Sequence, residues 1–273
     1  MAVEEFLSPT SLAEAQAVVG KGSENSWLAG GTDLLVGIRL GLRDPSRVID
    51  LKKIPELTAI EVGETSVRIG AAASAFDVLH NSDVPTLFPG LAEALNLIGS
   101  TQIAGRCSAG GNLCNASPAA DSIPALIANG AQCRILGPEG ERMLAVEDFV
   151  VGPNQNALTP GELLVELVLP RPARVTSDAY LRLTPRTEMD IAVAGQGSRS
   201  RWMSRAPAPR QGWRLVRWHP RRCWLRQRPR RWWARSWIKP RSMGRLRRCA
   251  RRLNPFQISG VPRSTAPMWS AYW

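Results

Sequence analysis

The chain has 273 residues, and its formal net charge of +12 hides two segments of opposite charge. Residues 1–196 contain 14 Lys/Arg and all 23 Asp/Glu, a net charge of −9, whereas residues 197–273 contain 21 Lys/Arg and no acidic residue. Five cysteines without a C-x-x-C spacing and two histidines argue against a zinc site or an iron–sulfur cluster in this chain. No apolar run approaches the roughly 20 residues that cross a bilayer, and no signal-peptide layout begins the sequence, so we expect a cytoplasmic protein without a membrane span.

The first 55 residues alternate between predicted helices and strands. Apolar spacing predicts helices over 8–19 and 34–40 and strands over 26–29 and 47–51. The strand over 26–29 leads directly into Gly30-Gly31, and Thr32 and Asp33 are of the residue types that cap a following helix. This order is compatible with a small α/β unit.

From residue 57 the pattern changes to alternating strands and short helices. We predict strands over 57–62, 66–70, 131–136, 141–145 and 163–169, and helices over 75–80, 90–98 and from near residue 121. Further strands over 180–183 and 191–194 begin another unit. Together these elements predict an α+β fold.

A second Gly-Gly segment lies in Ser108-Ala-Gly-Gly-Asn-Leu-Cys-Asn-Ala-Ser-Pro-Ala-Ala-Asp121, which we predict to be a loop that leads into a helix. Gly110 and Gly111 can adopt positive φ and let a ligand approach the main chain. Converging backbone N–H groups suit a phosphate, and the Asp121 carboxylate suits a sugar hydroxyl. An ordinary turn before a helix is the alternative, because short glycine motifs are common. Two such segments, about 80 residues apart, favour a bipartite dinucleotide site.

Three segments together resemble the FAD-binding (medium) subunits of the molybdenum hydroxylases, the family of the carbon monoxide dehydrogenase and xanthine dehydrogenase flavoproteins. The segments are 28–35, 102–121 and 182–192, in the family's order. The resemblance covers residues 1 to about 196. It implies a PCMH-type FAD-binding fold of two subdomains, with a small N-terminal α/β subdomain at 1–55 and a larger α+β subdomain at 56–172. Residues 173–196 would begin a C-terminal flavoprotein domain.

The resemblance also implies FAD that is bound without a covalent link. The residues it assigns to the FAD site are Leu28, Ala29, Gly30, Gly31, Thr32, Asp33, Leu34, Ile98, Ser108, Ala109, Gly110, Gly111, Asn112, Asp121, Leu164 and Arg182. Both Gly-Gly segments would line the pyrophosphate, and Asp121 would accept a hydrogen bond from a ribityl or ribose hydroxyl. Ile98 and Leu164 would touch the flavin or adenine, and Arg182 matches a basic position that contacts the flavin. Ser108-Ala109 stand where the family usually has Thr-Ile. Serine retains the hydroxyl of threonine, and alanine loses only the apolar bulk of isoleucine.

The implied function is electron transfer. A large molybdopterin subunit would oxidise the substrate, and electrons would pass through two [2Fe–2S] clusters on a small subunit to this FAD and then to NAD or a quinone. The complex would be a dimer of heterotrimers, with the molybdenum cofactor and the clusters on the partners only. We find no nucleophile–base pair and expect neither catalytic nor metal-ligating residues in this chain, because a flavin carries its own redox chemistry.

Several polar and sulfur-containing residues have simpler structural interpretations. A role as the cap of the following helix explains Asp33 about as well as contact with a ligand does. Cys107 and Cys114 are expected to be small buried residues. Arg186 and Asp190, together with Glu188, are expected to form an ion-pair cluster.

Residues 197–273 depart from the family pattern, since they are rich in Arg and hold nine of the ten Trp residues. Taken literally, this composition suggests binding to nucleic acid or an anionic surface, which is one alternative function. Reading one base earlier, however, permitted codons can encode strings that resemble the family's C-terminal domain. We therefore favour a frameshift near Gln196–Ser198 over nucleic-acid binding, and expect this tail not to fold natively. An inactive truncated gene product is the third alternative.

Overall fold

A computed structural model of the chain describes residues 3–19, 25–172, 176–186, 190–201 and 216–218. Of the predicted aberrant tail, only 197–201 and 216–218 are therefore described, and its remaining residues lie outside the described part. The expectation that the tail does not fold natively stays a prediction, as do the subdomain bounds inferred from the sequence.

The N-terminal part is a three-stranded parallel sheet with two helices. Its elements are β1 (Glu5–Leu7), α1 (Leu12–Val19), β2 (Asn25–Leu28), α2 (Leu34–Arg39) and β3 (Arg47–Asp50). The strands lie in the order β1-β3-β2, and both pairs are parallel. Parallel neighbours require crossover connections, which the two helices provide. Leu28, Leu34 and Val48 form a small apolar cluster of their own, so β2 and α2 pack around the segment that joins them.

The following part combines an antiparallel sheet with a layer of short helices. Its elements are α3 (Pro55–Thr58), β4 (Ile60–Val62), β5 (Ser66–Gly70), α4 (Ala75–His80), α5 (Val84–Leu87), α6 (Pro89–Asn96), α7 (Thr101–Ala104), α8 (Ala109–Asn115), α9 (Ser122–Ala128), β6 (Gln132–Gly137), β7 (Gly140–Ala145), α10 (Val146–Phe149), β8 (Val150–Gly152), β9 (Gln155–Asn156) and β10 (Leu163–Pro170). Five strands pair in the order β4-β5-β10-β6-β7, all antiparallel, and β8 pairs with β9. The strand β10 is central, and its nearly continuous apolar sequence is typical of a strand that is buried on both faces.

The main hydrophobic core includes side chains from this sheet and from helices α4 to α10. Phe88, Leu91, Leu95, Leu113, Ile123 and Phe149 contribute from the helices and the turn before α6, and Ile69, Ile135, Val165 and Leu167 contribute from the strands. Ala15 and Leu51 of the N-terminal part belong to the same core. The α+β fold class predicted from the sequence is confirmed.

A third, antiparallel sheet consists of β11 (Thr176–Leu183), β12 (Ala194–Arg201) and β13 (Val216–Trp218). Strands β11 and β12 pair over eight residues without a register shift, from Thr176 opposite Arg201 to Leu183 opposite Ala194. Strand β12 therefore continues across the position at which we place the frameshift. Gly197 lies against the Pro124 carbonyl of α9, so a glycine is required where this hairpin packs on the helix.

Element bounds differ most from the predictions at three places in these sheets. Residues 57–58 belong to α3, the strand predicted over 191–194 begins only at Ala194, and the strand predicted over 180–183 already begins at Thr176. The second difference arises because the Asp190 carboxylate accepts hydrogen bonds from the backbone amides of Arg186 (3.0 Å) and Ile191 (2.9 Å), which closes a turn between β11 and β12. Arg186 also forms the predicted ion pair with Asp190, while Glu188 lies outside the described residues.

Candidate functional site

The two Gly-Gly segments lie side by side in the folded chain. A Cβ atom on Gly30 would overlap the Arg106 carbonyl oxygen and lie 2.6 Å from its carbon. A Cβ atom on Gly111 would lie 3.8 Å from the Ala29 Cβ. The structure therefore brings together the two halves of the site that the sequence predicted to be bipartite.

The first segment is a left-handed turn between β2 and α2. Gly31 has φ +80°, a conformation that favours glycine, and the chain then enters α2 with Leu34 buried. Lys52 Nζ donates a 2.9 Å hydrogen bond to the Ala29 carbonyl and a 2.6 Å bond to the Asp50 carboxylate, which fixes the segment from the end of β3.

The interpretation of Asp33 as a helix cap is wrong. Asp33 occupies the N-cap position of α2 but makes no side-chain hydrogen bond there. A capping side chain reaches the free amides of the first turn from an extended backbone, and the backbone of Asp33 is already helical, with φ −99° and ψ −44°. Its side chain is exposed beside the two segments.

The second segment is a helix, and the prediction of a loop is wrong. Residues Ala109–Asn115 form α8, and the Ser108 Oγ caps it by accepting a 3.0 Å hydrogen bond from the Gly111 amide. A Cβ atom on Gly110 would lie 2.5 Å from the Ala71 carbonyl oxygen. The serine cap and this close packing therefore outweigh the low helix propensity of two adjacent glycines.

Asn112 projects from this helix with a fixed orientation. Its side-chain oxygen accepts a 2.6 Å hydrogen bond from the Oγ of Ser122, a fully buried residue at the start of α9. The NH₂ group is therefore the part of this side chain that can donate to a ligand. On the same helix, the Asn115 side chain accepts a 2.9 Å hydrogen bond from Arg43 of the N-terminal part. Sequence reasoning missed Ser122 and Arg43, because serine and arginine carry no local signal of such contacts.

Asp121 and Arg182, both predicted site residues, form a partly buried ion pair. The Arg182 guanidinium donates to the Asp121 carboxylate at 3.2 Å and to the Leu97 carbonyl at 2.9 Å, next to Ile98. The other oxygen of Asp121 accepts a 2.7 Å hydrogen bond from the hydroxyl of Tyr180. Burial raises the pKa of the Asp121 carboxyl, and the hydrogen bond from Tyr180 and the charge of Arg182 oppose that rise.

Sequence reasoning missed Tyr180, although a signal was present. Tyr180 and Arg182 are two residues apart on a strand, which places them on one face. Leu164, in contrast, is a core residue of β10 and is 2% exposed. Its neighbour Val165 accepts a hydrogen bond from Ala71, the residue against which Gly110 packs.

The thiols near the site have little reactive character. Cys107 is buried, and burial raises its pKa to about 11; burial raises the pKa of Cys114 to about 12. Both thiols are therefore protonated at neutral pH, and the predicted role of Cys107 as a small buried residue is confirmed. Within the described ranges, no cluster of His, Cys, Asp and Glu could hold a metal ion. No helix among those residues is long and apolar enough to cross a membrane.

The adjoining glycine segments, with a buried acidic residue nearby, are the features of a dinucleotide-binding protein. Residues 2–172 match the family described as "FAD binding domain in molybdopterin dehydrogenase". The chain belongs to this family, and it is therefore an FAD-binding subunit of the molybdenum hydroxylase type, an oxidoreductase component. The resemblance recognised in the sequence and the expectation of FAD are confirmed.

Relatives of known activity agree with this assignment. The chain is 35% identical over 192 residues to the carbon monoxide dehydrogenase medium chain of Hydrogenophaga pseudoflava, covering 70% of this chain and 67% of that one. It is 31% identical over 198 residues to the nicotinate dehydrogenase FAD-subunit of Eubacterium barkeri, covering 71% and 67%. The xanthine dehydrogenase FAD-binding subunit of Escherichia coli O157:H7 is 29% identical over 187 residues, covering 68% and 64%.

Solved structures show the same fold. Carbon monoxide dehydrogenase from Hydrogenophaga pseudoflava, in a form that lacks the Mo-pyranopterin moiety, superposes with a TM-score of 0.71 at 33% identity, covering 74% of this chain and 71% of that one. Quinoline 2-oxidoreductase from Pseudomonas putida 86 superposes with a TM-score of 0.69 at 25% identity, covering 74% and 70%.

Proposed function

We propose that this chain binds FAD without a covalent link and carries electrons within a molybdopterin-dependent dehydrogenase. Electrons enter from [2Fe–2S] clusters of a small partner subunit and leave to NAD or a quinone. A large subunit with the molybdenum cofactor oxidises the substrate, and the complex is a dimer of heterotrimers in the cytoplasm. The observation that carries the proposal is the close approach of the two glycine segments, at Gly30 and at Arg106-Cys107, inside the matched FAD-binding domain.

The residues between the two segments fit a pyrophosphate. Gly111 lacks a Cβ that would lie 3.0 Å from the Ser108 Oγ and 3.8 Å from Ala29, so the main chain is bare at the point where the segments meet. The Ser108 Oγ already accepts the Gly111 amide, which leaves its proton available to a phosphate oxygen. We assign the pyrophosphate to Ala29, Gly30, Gly31, Thr32 and Asp33 on one side and Ser108, Ala109, Gly110, Gly111 and Asn112 on the other. Leu28 and Leu34 flank the first segment as further residues of the FAD site.

The remaining site residues are assigned to the sugar and the rings. Asp121 accepts a hydrogen bond from a ribityl or ribose hydroxyl, and Arg182 contacts the flavin. Ile98 and Leu164 supply apolar contacts to the flavin or adenine. Bound FAD would supply the redox chemistry, while the residues of this chain bind and orient it. The ion pair of Asp121 with Arg182 keeps both side chains in place in a partly buried setting.

The proposal is tested first on the full 273-residue chain. Purified protein titrated with FAD should bind one equivalent, seen as quenching of flavin fluorescence and a shifted absorbance band, and acid should release all of it. Covalent retention would contradict the mode of binding, and no binding would overturn the proposal. Salt-sensitive binding to DNA, in place of FAD binding, would favour the alternative that the basic tail suggests.

The partner assignment needs a separate experiment. Co-expression with a large molybdopterin subunit and a small [2Fe–2S] subunit should give a stable complex that copurifies through a tag on this chain. Stopped-flow reduction of the flavin by substrate, followed by addition of NAD or a quinone, identifies the acceptor. A complex that forms without this chain and reduces either acceptor at the same rate would overturn the assigned electron route.

A further inference from the structure

Two buried hydrogen bonds attach strand β11 to the two ends of helix α9. At the start of the helix, the Tyr180 hydroxyl donates to the Asp121 carboxylate at 2.7 Å. At its end, the Asn129 side chain donates to the Asp178 carboxylate at 2.6 Å. Asp121 and Asp178 are 8% and 7% exposed, so the two pairs are closely matched in burial and in the elements they join. They differ in that only Asp121 lies at the proposed FAD site.

The Tyr180 phenol is held in place by its surroundings. Tyr180 is 3% exposed, and its backbone amide donates a 2.8 Å hydrogen bond to Glu93 of α6. On the neighbouring strand, Gly195 makes room for the phenol, because a Cβ atom there would lie 2.5 Å from the hydroxyl oxygen. Contacts with α6 and β12 therefore fix the position of the phenol oxygen independently of Asp121.

The Asp121 carboxylate has acceptor capacity beyond its contacts with the protein. Each carboxylate oxygen can accept about two hydrogen bonds. Tyr180 occupies one position on the first oxygen, and Arg182 occupies one on the second. One acceptor position on each oxygen remains for a hydroxyl of the cofactor, and rotation of the carboxylate is prevented from both sides.

We propose that Tyr180 is a positioning residue that, together with Arg182, orients the Asp121 carboxylate toward a hydroxyl of the dinucleotide. Tyr180, Arg182 and the glycine that accommodates Tyr180 all lie beyond the matched FAD-binding domain, which ends at residue 172. The hairpin of β11 and β12 therefore completes the FAD site. This inference rests on the proposed function and names a contribution to it that residues 2–172 do not supply.

The charges around Asp121 make the pH dependence of FAD binding sensitive to the Tyr180 hydroxyl, which a role in packing alone would not do. The titratable and charged groups that face the carboxyl are Tyr180 and Arg182, with Glu93 at the amide of Tyr180. The hydrogen bond from Tyr180 lowers the pKa of Asp121, against the larger effect of burial. Removal of the hydroxyl should therefore raise the pH below which Asp121 is protonated and can no longer accept from the ligand.

The test is Tyr180→Phe in the full chain, with FAD affinity measured by flavin fluorescence between pH 5 and pH 9. The ring that fills the core is retained, and one hydrogen bond to a charged group is lost. We expect FAD to bind about tenfold more weakly at pH 8. The affinity should also begin to fall at a higher pH than in the wild type, as the pH is lowered.

The matched control is Asp178→Asn, which replaces the carboxylate of the other pair by an amide. The amide oxygen can still accept the hydrogen bond from the Asn129 side chain. It should lower the melting temperature without changing the affinity for FAD or its pH profile. A control variant that binds FAD as weakly as Tyr180→Phe would overturn the inference, since docking of the strand alone would then explain the effect. An unchanged affinity and pH profile in Tyr180→Phe would overturn it as well.

A second measurement retains the wild-type hydroxyl. The chain has two tyrosines, Tyr180 and Tyr272, so incorporation of 3-fluorotyrosine with Tyr272→Phe leaves one fluorine resonance. Addition of FAD should shift this resonance, and a resonance that saturating FAD does not shift would overturn the inference while leaving the proposed function intact. Failure of the wild-type chain to bind FAD would overturn the proposed function, and this inference with it.

Discussion

Gly30-Gly31 and Gly110-Gly111 have the same dipeptide, yet their backbones differ. In the first pair Gly31 has φ +80° and turns the chain between a strand and a helix. In the second pair both glycines lie inside α8, which is capped by Ser108. A Gly-Gly dipeptide before apolar residues therefore does not determine one local conformation.

In both pairs, nevertheless, the first and the second glycine have the same kinds of neighbour. The first glycine of each pair permits a close contact within the protein, of Gly30 with Arg106 and of Gly110 with Ala71. The second glycine has its nearest neighbours in flexible side chains, including that of Ser108 beside Gly111. We infer that the first glycine assembles the site and the second leaves space beside the cofactor.

Gly30→Ala should have the largest effect. Its Cβ would overlap the Arg106 carbonyl, which is backbone and cannot move aside, so we expect a loss of about 3 kcal/mol in the free energy of unfolding. FAD binding should be lost with it. Urea denaturation measures the change, and Gly105→Ala is the control, since its Cβ would have its nearest neighbour at 4.0 Å. Equal stability of the two variants would show that the segments do not approach as closely as described.

Gly110→Ala should be the next most destabilising change. Its Cβ would lie 2.5 Å from the carbonyl oxygen and 2.6 Å from the Cα of Ala71. The higher helix propensity of alanine offsets up to about 1 kcal/mol of this effect, so we expect a net loss of about 2 kcal/mol in the free energy of unfolding. A stabilised variant in urea denaturation would contradict the helical packing of this segment.

Glu162→Gln should weaken the attachment of the first segment. The Glu162 backbone carbonyl accepts a hydrogen bond from Trp27, next to Leu28, and its carboxylate accepts from Arg142 at 2.6 and 2.8 Å. These bonds from Arg142 lower the pKa of Glu162 from 4.5 to about 2. The stabilisation is present above pH 4.5 and is lost as the pH falls toward 2, because the unfolded chain takes up the proton first.

We expect Glu162→Gln to lower the free energy of unfolding by about 1 kcal/mol at pH 7. The free energy of unfolding of the variant should also depend less on pH between about pH 4.5 and pH 2. Chemical denaturation at several pH values measures both effects. Glu61→Gln is the control, because Glu61 pairs with Arg68 at an exposed position and should contribute little. An unchanged acid limb in Glu162→Gln would contradict the assigned pKa.

Gly111→Ala should change stability least. Its Cβ would lie 3.0 Å from the Ser108 Oγ, and the gain in helix propensity offsets that contact, so stability should stay within about 1 kcal/mol of the wild type. The methyl group would nonetheless lie between the two segments, and we expect FAD affinity to fall about tenfold. Unchanged FAD affinity, measured by flavin fluorescence, would remove Gly111 from the proposed pyrophosphate site.

Much of the architecture was accessible from local patterns. The spacing of apolar residues predicted the helices and strands of the N-terminal unit and most strands of the antiparallel sheet, since periodicity reports which face of an element is buried. The tertiary contacts of the site were less accessible. The hydrogen bonds of Ser122 to Asn112 and of Arg43 to Asn115 join side chains whose residue types are common on any surface.

The sequence alone was sufficient to identify the family and its cofactor. Three segments, 28–35, 102–121 and 182–192, carry glycine, asparagine and acidic residues in an order that is specific to the family. Only the tertiary structure decided that the second Gly-Gly segment is a helix, that Gly30 lies against Arg106, and that Tyr180 holds Asp121. The helix depends on the packing of Gly110 against Ala71, 39 positions away, and the other two features join residues 76 and 59 positions apart. Such contacts leave no periodic trace along the chain, and they override the propensities of the residues that make them.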